Sequence, residues 1–274
     1  MELNYKQIYE IEHVQNGLSY RQIREKYGIS RGTWDYHIRK KLKVNADLRK
    51  HRAIDDFFDC IDSEAKAYLL GFLYADGYLA SDGRMGCRLK IDDIEMIHLI
   101  QKYICPNSPI EYSNNQNFKR KPQCSIRWKS KKMYKRLLEL GFCVDKTHTN
   151  SNVFQYIPND FKKDFIRGFL DGDGCLTYNL PNSGNWRKIS LCFCNGTVGI
   201  LQNISDYFID IPGSVIADRT TYFTLRYDRI KSVQMIVQKI YESATLYLNR
   251  KKIIADKILS YYSNTVLTRH IAKG

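Results

Sequence analysis

The chain lacks any apolar run near the roughly 18 residues that span a membrane. Its N-terminus, MELNYKQIYEIEHV, is charged and helix-like and has no secretory apolar region. These absences point to a soluble, intracellular, cytoplasmic protein. A Cys-x-x-Cys pair is also missing: the eight cysteines (60, 87, 105, 124, 143, 175, 192 and 194) are scattered through core-forming sequence. That distribution fits a reduced compartment and thiols packed as small apolar residues better than a disulfide framework. Cys192 and Cys194 lie in an apolar run, where a strand would point both to one face; a metal centre would need further ligands, and none is near in sequence. Acidic residues are short too. Asp and Glu number 29 against 43 Lys and Arg, a net charge of +14 over 274 residues. The basic clusters KLKVNADLRKHR, NFKRKPQ and KSKKMYKR are accompanied by no lysine-rich tail. Such a field attracts a polyanion, and nucleic acid is the leading partner; a solvated surface with no partner is the plain alternative.

What is present begins with three short helical patterns. Tyr5, Ile8, Tyr9, Ile11 and Val14 keep a helical spacing, and Gly17 follows as a stop. Ser19 caps a second helix through RQIREKY, Gly28-Ile29-Ser30 makes a tight turn, and a third helix starts near Arg31. This is a helix-turn-helix pattern over residues 1–45. In that motif the helix after the turn offers its first residues to base edges, here Arg31, Thr33, Asp35, Tyr36 and Arg39, with Trp34 and Ile38 at core spacing. A three-helix packing unit without DNA would need the same apolar residues. The basic extension RKKLKVNADLRKHR would supply phosphate contacts. Residues 46–62 read as a linker.

Beyond the linker the chain writes one sentence twice, YLLGFLYADGYL at 68–79 and FIRGFLDGDGCL at 165–176. Each copy opens the same run of strand and helix patterns, which gives an α+β fold of two tandem αββαββα half-domains over 63–155 and 156–274. In the strands Met85, Cys87, Leu89 and Ile91 alternate with Arg84, Arg88 and Lys90, and Ile126 and Trp128 with Arg127 and Lys129. Likewise Ile189, Leu191 and Phe193 alternate with Lys188 and Ser190, and Phe223 and Leu225 with Thr224 and Arg226. Each sheet therefore has an apolar face for helices and a polar, often basic, face suited to a DNA groove.

In the repeated segments Gly71 and Ala75, and Gly168 and Gly172, fall four residues apart on a helix and leave a strip almost free of side chains. A mid-helix glycine costs roughly 1 kcal/mol relative to alanine, so its use at matched positions implies two helices in backbone contact. Asp76 and Asp173 close the helices, and Gly77 and Gly174 suit the left-handed residue that ends one. A carboxylate there faces the negative end of the helix dipole and calls for a nearby positive charge. Two converging acids would make a Mg²⁺ site. Asp-Gly as a mere turn would account for one copy. An EF-hand fails because Cys175 and Leu176 stand where a third ligand and a glycine are required.

With LLGFLYADG, IRGFLDGDG, the midpoint GFCVDKTHT and the late LYLNRKK, the chain resembles the two-motif, single-chain LAGLIDADG homing endonucleases over about residues 60–262, with the N-terminal helix-turn-helix as an addition. The resemblance implies a monomer with pseudo-twofold symmetry, saddle-shaped sheets over double-stranded DNA, and hydrolysis of both strands with Mg²⁺, Mn²⁺ serving as substitute. It implies Asp76 and Asp173 as metal-binding acids and Lys146 and Lys251 as basic residues of the two centres. Intron homing and a bacterial or phage-encoded context are further expectations. Tyr74 replaces the acid matched by Asp171, and Arg167 stands where the signature favours a small residue. The competing expectations are a non-catalytic transcriptional regulator on the same scaffold and an intron maturase.

Overall fold

The computed structural model describes residues 4–16, 18, 20–41, 53–113, 122–144, 152–179 and 188–271. The chain divides into two compact units, Met1–Lys50 and His51–Gly274.

The first unit is helical. Helix α1 (Tyr5–Ile8) runs on as wider turns through Tyr9–Gln15, α2 spans Tyr20–Tyr27, and α3 (Arg31–Asp35) continues through Tyr36–Lys41. The turn before α3 needs a glycine, because Gly28 has φ +63°. Ser30 caps α3, its hydroxyl accepting from the Thr33 amide at 3.1 Å. Ile8, Tyr9, Ile23, Ile29, Trp34 and Ile38 form a small core. Ile11, at the same helical spacing, is exposed. Ser19 lies outside the described residues.

The second unit begins earlier than the linker expectation. Ala53, Phe58 and Ile61 are buried in its core, and the Arg136 guanidinium donates to the carbonyls of Phe58 and Asp59. Burying three apolar side chains outweighs the charges around them.

Helix α4 (Glu64–Asp76) leads into β1 (Gly77–Leu79) and β2 (Arg84–Lys90), then α5 (Ile94–Ile104), β3 (Ile110–Ser113), β4 (Gln123–Lys129) and α6 (Lys131–Glu139). The same order follows in α7 (Asn159–Asp173), β5 (Gly174–Asn179), β6 (Lys188–Asn195), α8 (Val198–Tyr207), β7 (Ser214–Asp218), β8 (Phe223–Tyr227) and α9 (Ile230–Tyr241). A further helix, α10 (Asn249–Ile271), was not expected as a separate element.

The strands make two four-stranded antiparallel sheets with one wiring, β1-β2-β4-β3 and β5-β6-β8-β7. Gly77 pairs with Cys87 in the first and Gly174 with Phe193 in the second, so the two registers correspond residue by residue. α5 covers β2 and β4, and α8 covers β6, β7 and β8. The alternation read from sequence holds: Met85, Cys87, Leu89, Ile126, Trp128, Leu191, Phe193 and Leu225 are buried. Arg84, Arg88, Lys90 and Lys129 on the other face are exposed.

α4 and α7 occupy the centre. Every residue of α4 from Ala67 to Ala75 is buried, the mark of a helix enclosed on all sides. The two helices meet backbone to backbone: a Cβ at Gly71 would collide with the Phe165 carbonyl, and one at Gly168 with the Tyr68 carbonyl.

Gly77 and Gly174 differ from expectation. Their φ angles are −71° and −97°, with extended ψ, so neither is left-handed, and each helix passes straight into a strand. Glycine is needed for space: a Cβ at either position would lie 2.5 Å from the carbonyl of Leu73 or Leu170, one turn back.

Candidate metal and nucleic-acid site

Asp76 and Asp173 are the last residues of α4 and α7, and both are half-buried. The helix crossing brings their ends together. A Cβ on Gly172 would touch the Ala75 methyl and stand 3.3 Å from Asp76 Oδ2, so the Asp76 carboxylate rests over α7 beside the residue preceding Asp173. Glycine at 172 keeps that space clear.

The positive charge demanded by the dipole of α7 is Lys251. It is buried, and its Nζ donates to the carbonyls of Leu170, Asp171 and Gly174, the last two at 2.8 Å each. An ammonium has three protons, and each has a backbone acceptor here. Lys251, expected as the basic residue of the second centre, caps the helix that carries Asp173. Burial pulls its ammonium down to about 8, and the charge of Asp171 opposes that pull. Asp76 also acts on it, as it does on Arg250. Lys146 lies outside the described residues.

Asp171, two residues before Asp173 in the same helix, is the network residue that sequence reading left without a role. It is 1% exposed, and its Oδ2 accepts from the Tyr68 hydroxyl at 2.7 Å and the Leu248 amide at 2.8 Å. Burial pushes its carboxyl up to about 6, against the charge of Lys251 and the Tyr68 hydrogen bond. The matched position in α4 is Tyr74, whose ring packs among Phe142, Phe165 and Phe169. The helix ends are therefore unequal: one is tied by Asp171 to the segment after α9, the other is set in an aromatic cluster.

That segment stitches the unit together. Thr245 and Leu246 donate to Glu64 at the start of α4, the Asn249 amide donates to Glu95 of α5 at 2.9 Å, and Arg250 pairs with Asp93 at 2.7 Å. Tyr247 and Leu248 join the core. The sequence signal was LYLNRKK, whose apolar residues and cations both find partners.

The basic faces are partly neutralised. Arg84 pairs with Asp82 at 2.6 Å, Arg127 with Glu111, Lys129 with Asp82 at 3.9 Å, and Arg226 with Asp228 at 2.8 Å. Arg88 and Lys90 have no ion pair among the described residues. The side chain of Lys188 lies outside them. In the first unit Arg31 and Thr33 of α3 and Tyr36 just after it are exposed, Arg31 standing 3.9 Å from Asp35; the Arg39 side chain is outside the described residues.

Among the described residues no group of three or more His, Cys, Asp or Glu could hold a metal ion. Two helix-end carboxylates, by contrast, suit Mg²⁺, which takes one or two carboxylates and completes its shell with water and phosphate oxygens. A closed Zn²⁺ site would need four nitrogen or sulfur ligands. No helix among the described residues is long and apolar enough to cross a membrane.

No protein-family profile matches the sequence, and no curated protein matches it. Solved structures do share its fold. The LAGLIDADG homing endonuclease I-SmaMI bound to cleaved DNA superposes with a TM-score of 0.52 at 12% identity, covering 73% of this chain and 90% of that one. I-SmaMI bound to uncleaved DNA in the presence of calcium ions gives 0.51 at 11%, covering 73% and 92%. The LAGLIDADG homing endonuclease I-GzeII in complex with its DNA target gives 0.50 at 10%, covering 74% and 91%. At such identities the likeness is one of fold: a mixed α+β architecture with two four-stranded antiparallel sheets, as in LAGLIDADG endonucleases.

Proposed function

We propose that this protein is a metal-dependent, site-specific endonuclease that cuts both strands of DNA. In this reading it acts as a monomer whose two αββαββα halves are related by a pseudo-twofold axis. The observation that carries the proposal is the glycine-mediated crossing of α4 and α7, which brings two helix-end aspartates together in a fold shared with DNA-bound endonucleases.

Asp76 and Asp173 are the residues that would hold Mg²⁺, with Mn²⁺ as a substitute. When bound, the ion supplies Lewis-acid stabilisation of charge on phosphate and lowers the pKa of water. The chain's own residues do the rest. Gly172 leaves room over α7 for the Asp76 carboxylate, and Lys251 neutralises the carbonyl end of α7 so that Asp173 remains an acceptable anion there. Lys146 is the basic residue proposed for the first centre. Arg84, Arg88, Lys90, Arg127, Lys129 and Arg226 line the strand faces that would meet phosphates and base edges, and Lys188 is proposed as a further contact. Arg84, Arg127, Lys129 and Arg226 exchange their acidic partners for phosphate on binding.

The N-terminal unit supports a second contact. Its Gly28 turn and Ser30 cap open α3, whose Arg31 and Thr33 are exposed, and Arg31, Thr33, Tyr36 and Arg39 would read or grip the duplex as a helix-turn-helix.

The test is to incubate the full chain and its Asp76→Asn and Asp173→Asn variants with a randomised duplex library, with Mg²⁺ and with EDTA. Mg²⁺-dependent double-strand ends from wild type, lost in both variants with binding retained, are the expected result. Binding without cutting by wild type would assign the scaffold to a regulator instead. Preferential binding of structured RNA over the duplex would assign it to an intron maturase.

A further inference from the structure

Three thiols on the second sheet are given no role by the proposed function. Leu191 and Phe193 of β6 point into the core with no exposed surface, so Cys192 and Cys194 share the opposite face. Their sulfurs stand 3.9 Å apart in a hydrogen bond. Cys175 of β5 is the cross-strand partner of Cys192, whose other neighbour is Arg226 of β8. Cys192 and Cys194 are half-buried and Cys175 is exposed. The charge of Asp173 reaches Cys194.

The first sheet carries no such group. Because Gly77 pairs with Cys87 where Gly174 pairs with Phe193, the positions matching 175, 192 and 194 are Tyr78, Gly86 and Arg88. Cys87, Cys105 and Cys124 are buried and serve as small core residues. The thiols of β6 bury no core, and two thiols in mutual contact are a chemical group rather than a filler.

We propose that Cys192 and Cys194 form an oxidant-sensitive modification site on the polar face of the second sheet, closed to a disulfide by a hydroperoxide. A thiolate of the pair attacks one peroxide oxygen, the O–O bond breaks, and a sulfenic acid and an alcohol, or water when the oxidant is hydrogen peroxide, are produced. The second thiol attacks that sulfur, the S–O bond breaks, and water leaves as the S–S bond forms. Two thiols lose two electrons, one peroxide gains them, and an external dithiol reverses the step. Disulfide geometry requires the two sulfurs to come much closer than they stand, so closure draws β6 out of its regular pleat beside Arg226. The consequence for DNA rests on the proposed function; the thiol chemistry does not.

The full chain is treated with hydrogen peroxide, quenched with an alkylating reagent and digested. The expected product is a peptide joining Cys192 and Cys194 that has lost two hydrogens, escapes alkylation and returns with dithiothreitol. Cys192→Ser and Cys194→Ser should each abolish it. Alkylation of both thiols at unchanged yield after peroxide, or oxidation of Cys60 alone, overturns the site. Duplex DNA of mixed sequence is the second probe, and oxidised wild type is expected to bind it about tenfold more weakly, with the Cys192→Ser/Cys194→Ser variant insensitive to peroxide. Disulfide formation with DNA affinity unchanged overturns the coupling to DNA. A reduced wild type that binds no duplex at all overturns the proposed function and leaves the peptide result standing.

Discussion

Arg167 is a guanidinium with no exposed surface, and it sits in the motif where a small residue was expected. Its burial is compensated: it donates to the carbonyls of Leu246 and Ile240, pairs with Glu64 at 2.6 Å and Asp164 at 2.8 Å, and lies over the Tyr68 ring. Removing one partner of such a set leaves buried charge unpaired, at about 3–5 kcal/mol. Arg167→Ala is therefore expected to lose that much stability in denaturant unfolding, and a fall under about 1 kcal/mol would mean the set is dispensable. Glu12 carries a pH signature in the N-terminal unit. Hydrogen bonds from Lys26, Tyr27 and Asn16 hold its carboxyl at about 2, below the ordinary 4.5. A folded pKa below the unfolded one stabilises above 4.5, and that contribution disappears as pH falls from about 4.5 to about 2. Protection factors for amide exchange in α2, taken relative to intrinsic exchange at each pH, are expected to fall over that window in wild type and to be flat in Glu12→Gln. Neither network was legible in sequence, because spacing does not show which polar side chains will be buried together, and Arg167 meets Glu64, Ile240 and Leu246 from distant elements.

At the scale of elements, the crossing of α4 and α7 depends on the space at two glycines. The atoms a Cβ would strike at Gly71 and Gly168 are backbone carbonyls, which move only if the helices separate. Gly168→Ala is expected to cost about 3 kcal/mol and to lower Tm by about 6–12 °C for a chain of this size; the same holds for Gly71→Ala. A wild-type melt for both would mean the helices can part at no cost. This pairing was legible, since a glycine repeated at a matched offset has few other physical uses. The Gly77 and Gly174 conformations were misread, because sequence shows that a side chain is unwelcome without showing whether torsion or crowding excludes it. α10 was missed because its start, LYLNRKK, was absorbed into a motif.

For the whole molecule, the net charge of +14 predicts a salt-dependent DNA affinity. If six or more phosphates are engaged, binding should weaken about a thousandfold between roughly 50 and 200 mM salt; a flat response would place the charge away from DNA. By itself the sequence determined the two repeated units, the strand alternation, the small-residue strip and the aspartates at the helix ends, because each follows from local period and residue size. Tertiary structure alone decided what surrounds them. It set Lys251 against the carbonyl end of α7, gave Asp171 a buried network where Tyr74 has an aromatic one, and put Cys192, Cys194 and Asp173 in one neighbourhood. The physical reason is that desolvation and hydrogen-bond partners belong to the packed state, and a one-dimensional pattern records only which residues are available for it.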